Sequence, residues 1–117
     1  MPLSRPSVRR QCPVELTLSV IGGKWKPLIL WELRGKPRRF SELENSLTGI
    51  THKVLSDQLR ALERDGVLTR TVRDERVRVV EYALSDFGMT LRPVMNVMAQ
   101  WAKLHHRRLG EAHARSR

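Results

Sequence analysis

An α+β fold, mainly helical with one small β-hairpin, is what the sequence predicts, and three observations carry that prediction. Thr51 to Gly66 is a helix complete with its own start and stop. Thr51 is a good N-cap, and Gly66 stands where a helix end favours a left-handed residue. Leu55, Leu59 and Leu62 recur at i, i+4 and i+7 and form one buried stripe. Directly after Gly66 the pattern changes to period two. Val67–Asp74 and Val77–Leu84 are both rich in β-branched residues and flank a polar tip at Asp74, Glu75 and Arg76. The third observation is charge: 22 Lys and Arg against 12 Asp and Glu give a formal net charge of +10 in 117 residues. Such a balance predicts attraction to a polyanion, with nucleic acid the default. A helix followed at once by a ribbon with a basic tip is the outline of a winged helix-turn-helix.

The length suits one domain with a modest core. Residues 1–11 hold Pro2, Pro6, Ser4, Ser7 and three arginines, and read as a flexible basic arm ahead of a domain at 12–109. No run has the apolar length to span a bilayer, and no secretory h-region follows the N-terminal charges, so the expected location is cytoplasmic. One cysteine, Cys12, leaves no internal disulfide and suits a reducing compartment.

Pro13 fits the first turn of a helix running to about Ile21, with Leu16, Val20 and Ile21 on its apolar side. Gly22-Gly23 breaks it. A second helix starts around Lys24-Trp25 and carries Leu28, Ile29, Trp31 and Leu33. Pro27 is tolerated in its first turn, and Gly35 and Pro37 close it. Ser41 with Glu44 has the spacing of a capping box, which opens a short helix to about Leu47. That helix would be the first of the helix-turn-helix, with Thr48-Gly49-Ile50 as the turn. A first helix crosses the DNA backbone, which makes Arg38, Arg39 and Ser41 candidate phosphate contacts.

The helix after the turn carries Lys53, Ser56, Asp57, Arg60 and Arg64 opposite its leucine stripe, with His52 at the leading edge of that face. Read in isolation this is a solvated face; beside a wing it is a base-reading face, with the N-cap Thr51 a further candidate DNA contact. Arg73, Arg76 and Arg78 sit on the wing, placed for phosphates or an adjacent minor groove. Ser85 caps a long helix from about Asp86 to Arg108, with Pro93 as a kink or a later start. Leu91, Val94, Met95, Met98, Trp101, Ala102 and Leu104 give it a wider apolar stripe than a small core needs. A second copy, packed through the N- and C-terminal helices into a two-fold dimer, would cover that surplus. A Met-rich ligand pocket is the alternative. From Gly110 to residue 117 the chain reads as a polar, disordered tail.

Cys12 precedes Pro13 at a helix start, near Arg9 and Arg10. Backbone N–H groups and cations there favour thiolate and hence reactivity with electrophiles and oxidants. A small apolar residue at a helix start is the plain alternative. His105 and His106 are adjacent on a helix and His113 lies in the tail, so no metal set is expected. Gly22-Gly23 lacks the strand and spacing of a nucleotide loop, and no nucleophile has a base at recognisable spacing. Neither cofactor nor catalysis is expected.

The chain resembles the HxlR-type transcriptional regulators, relatives in fold of the multiple-antibiotic-resistance regulators. The likeness runs through Cys12-Pro13-Val14-Glu15, Ile21-Gly22-Gly23-Lys24-Trp25, Arg39-Phe40-Ser41-Glu42-Leu43 and Gly49-Ile50-Thr51-His52-Lys53-Val54-Leu55. It ends with Leu62-Glu63-Arg64-Asp65-Gly66 and Val80-Glu81-Tyr82. It implies a homodimeric repressor or activator on a pseudo-palindromic operator, with half-sites roughly 34 Å apart or a multiple of it. It also implies an effector: an electrophile or oxidant acting at Cys12, as in family regulators with a matching cysteine, or a small molecule. Where the family carries a Pro-Pro-Arg-like segment before Val-Glu-Tyr, this chain has Val77, Arg78 and Val79, from which a more regular wing is expected. Outside this class, the residues also admit a winged-helix module that binds protein or structured RNA.

Overall fold

The computed structural model describes residues 12–74 and 76–115. The basic arm expected at 1–11, with Arg9 and Arg10, lies outside them. Among the described residues seven helices and three strands follow in the order α1 (Pro13–Ile21), α2 (Lys26–Glu32), β1 (Arg38–Arg39), α3 (Phe40–Ser46), α4 (His52–Arg64), β2 (Leu68–Val72), β3 (Val80–Leu84), α5 (Asp86–Met89), α6 (Arg92–Leu104) and α7 (His106–Arg115). The sheet is antiparallel in the order β1-β3-β2. It is a winged helix-turn-helix, mainly α with a small sheet, as the sequence predicts.

The core is one cluster centred on the leucine stripe of α4. Leu55, Leu59 and Leu62 pack with Ile29, Leu30 and Leu33 of the α2 region, Leu43 and Leu47 of the α3 region, and Val67, Tyr82 and Leu84 of the wing base. Each fully buried leucine or isoleucine contributes about 1.5–3 kcal/mol by leaving water. Helix α4 is therefore held from behind while its other face stays open. Its ends follow the sequence signals. The Thr51 hydroxyl accepts from the Val54 N–H at 3.1 Å. At the far end Gly66 is left-handed at φ 81°, with Gly66 N–H donating to the Glu63 carbonyl and Val67 N–H to the Leu62 carbonyl. This paired closure sends the chain straight into β2.

Four local expectations need correction. Helix α3 starts at Phe40, so Ser41 lies inside the first turn and is not the N-cap. Arg39 is the N-cap; its N–H donates to Glu42 Oε1 at 2.8 Å. An arginine side chain offers no acceptor, so only half of a capping box forms. The shift arises because Arg38 and Arg39 pair with Tyr82 and Glu81 of β3, which holds Arg39 extended until the helix begins. The long C-terminal helix is three helices. Pro93 has no N–H to donate and its ring would meet the carbonyl four residues back, so α6 starts afresh with Pro93 in its first turn. His105, at φ −116° and ψ 20°, separates α6 from α7. Residues 110–115, expected as disordered tail, continue α7. Last, the wing tip is less regular than expected: Arg78 is left-handed at φ 55° and its N–H donates to the Asp74 carbonyl. With no proline to stiffen Val77–Val79, the chain turns back at Arg78, and β3 begins only at Val80.

Candidate nucleic-acid interface

Helix α4 presents its polar face as a connected set. Lys53 Nζ lies 3.0 Å from Asp57 Oδ2, one turn along the helix. Arg60 Nη1 lies 3.7 Å from Asp57 Oδ1, and Arg60 Nη2 donates to Ser56 Oγ at 2.9 Å. These are i,i+4 and i,i+3 neighbours, so the helix itself sets the spacing. The Lys53 ammonium, hydrogen-bonded to Asp57, holds that carboxyl below its usual range. Both cations stay exposed: their side chains keep 85% and 69% of their accessible surface, so pairing orients the heads without covering them. Two cations, one carboxylate acceptor and one hydroxyl on an open helix face are the groups that read base edges in a major groove.

His52 closes the front of this face against α3. Its Nδ1 is 3.6 Å from Glu44 Oε2, and its ring lies 4.6 Å from that of Phe40. The first helix of the unit thus fixes the entry end of the second. Thr51, exposed beside it, spends its oxygen as the cap acceptor and keeps its O–H for donation.

The wing supplies further cations. Arg73 Nε is tied to Glu81 Oε1 at 2.8 Å, across the ribbon. Arg76 and Arg78 are exposed and form no ion pair within the described residues. The Arg76 N–H donates to Asp74 Oδ1 at 3.0 Å, which shapes the tip. Arg70, exposed on β2, is one cation that the sequence reading passed over. It shares a strand face with the buried Leu68, so strand periodicity would have placed it inward; only the observed exposure of residues 69–72 marks it.

The structure separates Arg38 from Arg39. Successive residues of a strand point to opposite faces. Arg39 is exposed beside α3, whereas Arg38 is half-buried among residues of α2 and α6. Ser41 is exposed in the first turn of α3.

Cys12 is exposed at the N-cap of α1. Hydrogen bonds from the Glu15 and Val14 backbone N–H groups to its sulfur draw the thiol below its ordinary range. On α1 and α6, large apolar side chains are open to solvent. Val14 and Leu18 on α1, and Val97, Met98, Trp101 and Leu104 on α6, are all more than half exposed. An apolar cavity of about 230 Å³ is lined by Pro27, Leu28, Trp31, Met95, Met98 and Ala99. Within the described residues no group of three or more His, Cys, Asp or Glu is placed to hold a metal ion, and no helix is long and apolar enough to cross a membrane.

Known proteins share this arrangement. Residues 20–109 match the HxlR-like helix-turn-helix family. The HTH-type transcriptional regulator YdeP of Bacillus subtilis (strain 168) is 44% identical over 103 residues, covering 88% of this chain and 80% of YdeP. The redox regulator HypR in its reduced form superposes with a TM-score of 0.81 at 39% identity, over 86% of this chain and 99% of that one. The reduced form of the transcriptional regulator YodB from B. subtilis does so with a TM-score of 0.70 at 33% identity, over 79% and 91%.

Proposed function

The chain belongs to the HxlR-like helix-turn-helix family of DNA-binding transcriptional regulators, and from that premise we propose a homodimeric repressor on a pseudo-palindromic operator, acting in the cytoplasm and relieved through Cys12. The open, cross-linked polar face of α4 carries the proposal, because it offers base-reading groups on a helix whose back is locked in the core. In this reading His52, Lys53, Ser56, Asp57 and Arg60 enter the major groove. Thr51, Arg39 and Ser41 take phosphates at the entry of the unit, and Arg73, Arg76 and Arg78 take them at the wing. Arg38, on the other face of its strand, has no part in this contact.

Support for a dimer comes from the exposed apolar faces of α1 and α6. Open surface of that extent on a small chain is stable in water only when another surface covers it. Fluorescence anisotropy at about 0.15 M salt, with the duplex upstream of the chain's own gene and a scrambled duplex, tests the function. A preference of about a thousandfold is expected; equal, weak binding to both would remove the operator from that site. Arg76→Ala should weaken both duplexes alike and reduce the slope of log K against log salt by about 1. A selective loss on the native duplex would instead make Arg76 a base contact.

An electrophile- or oxidant-responsive Cys12 is supported by its exposure and its lowered thiol pKa. HypR, a structural relative, is named a redox regulator. A thiolate stabilised by the helix start persists to lower pH than a free thiol. The alkylation rate should therefore rise with pH around a midpoint below the ordinary thiol value of about 8.5. A profile centred at that midpoint would leave Cys12 an ordinary residue. A small-molecule effector in the apolar cavity against Met95 and Met98 is a second reading, favoured by that cavity alone.

A further inference from the structure

Arg38 leads to a site separate from the DNA-reading surface. A cleft of about 410 Å³ opens where the end of α2, strand β1 and the start of α6 meet. Arg34, Lys36, Arg38 and Arg92 line it, together with Asn96 and one carboxylate, Glu32. None of the four cations forms an ion pair within the described residues. Arg34 is fixed in place: its guanidinium lies 3.6 Å from the Trp31 ring centroid, and Nη1 donates to the Trp31 carbonyl at 2.6 Å. Arg92 Nη1 meets only the soft Met89 Sδ, at 3.8 Å. The second observation is Arg38 Nε, which is buried and has no hydrogen-bond partner among the described residues.

A buried guanidinium donor without an acceptor is costly, and three like charges beside it add to the cost. An anion in the cleft would offset the clustered positive charge and give the Arg38 guanidinium a counter-charge. Planar guanidinium groups pair with phosphate oxygens in two-point fashion, and Arg34 is already immobilised for such a contact. We propose that this cleft binds a small phosphorylated polyanion, with Arg38 and Arg92 as its principal ligands and Arg34 and Lys36 flanking them. Asn96 and Glu32 are suited to a hydroxyl on the same molecule, Glu32 as acceptor only. The alternative of a DNA phosphate is disfavoured by placement, since Arg38 faces away from Arg39 across the strand and the cleft is completed by α6. Because β1 runs without a break into α3, an anion bridging Arg38 and Arg92 ties the α6 flank to the DNA-reading unit.

The test uses the full chain without DNA, so its failure leaves the regulator reading standing. Pyrophosphate is titrated calorimetrically at about 0.15 M NaCl, where loose charge attraction is screened. Saturable binding of one pyrophosphate per chain is expected, weakened at least about tenfold by Arg92→Ala and by Arg38→Met. Arg92 is exposed, so its variant reports on the ligand even if the Arg38 variant unfolds. Arg107→Ala, an exposed cation on α7 outside the cleft, should bind as the parent does. The proposal falls if no saturable binding occurs up to about 10 mM pyrophosphate, or if Arg107→Ala weakens it as much as Arg92→Ala. It also falls if Arg92→Ala spares pyrophosphate binding and lowers only the salt slope of duplex binding, which would make the cleft a DNA phosphate contact.

Discussion

Arg60→Ala is expected to lose about 1–3 kcal/mol of discrimination at one position of each half-site, on the order of a 5- to 150-fold fall in preference for the native base pair. Binding to scrambled duplex should change far less. The reasoning rests on geometry: Arg60 is held from two sides, by Ser56 Oγ at 2.9 Å and by Asp57 Oδ1 at 3.7 Å, yet stays exposed. A guanidinium with its direction already set loses little freedom on meeting a base edge. Competition anisotropy with single-base variants of the operator measures the effect. Unchanged base preference would place the reading face elsewhere on α4.

Leu59→Ala should destabilise the fold by about 3 to 5 kcal/mol, out of the roughly 5–15 kcal/mol typical of a whole domain. Leu59 is 1% exposed in the middle of the α4 stripe, and the buried leucines and isoleucines around it come from several elements. Removing its methyl groups forfeits their burial and leaves a hole that helices fixed at both ends cannot close. A urea midpoint shifted down at unchanged slope is the expected result. A loss under about 1 kcal/mol would mean that the α4 region repacks, contrary to its capped and closed ends.

Those two residues also show how far the sequence could be read. Helix α4 was legible in full because its signals are local: a threonine cap, a leucine stripe, a left-handed glycine. The i,i+4 and i,i+3 spacing that joins Lys53, Asp57 and Arg60 is equally local. Strand β1 left no such trace. It is two residues long, and its partners Tyr82 and Glu81 stand more than forty positions away. From that one omission came both the misplaced start of α3 and the grouping of Arg38 with Arg39. The divided C-terminal helix was half visible, since Pro93 marked the break, but nothing local shows that α7 would pass through Gly110. At the wing, the left-handed Arg78 reflects how the loop closes onto the Asp74 carbonyl, a contact that β-branched composition does not encode.

Asp57 changes how the protein would travel along a chromosome. Its carboxylate answers Lys53 and Arg60 before any DNA arrives, so the recognition helix brings less unsatisfied charge to a random sequence than its cations suggest. In the proposed contact, electrostatic grip on arbitrary sites would then fall mainly to Arg76, Arg78 and Arg39 at its edges. A regulator built this way would linger less on the wrong sequence. In a major groove the Asp57 carboxylate could gain a partner of its own, since the exocyclic amine of cytosine is the base-edge donor suited to a carboxylate. The residue that weakens the search contact would then strengthen the final one.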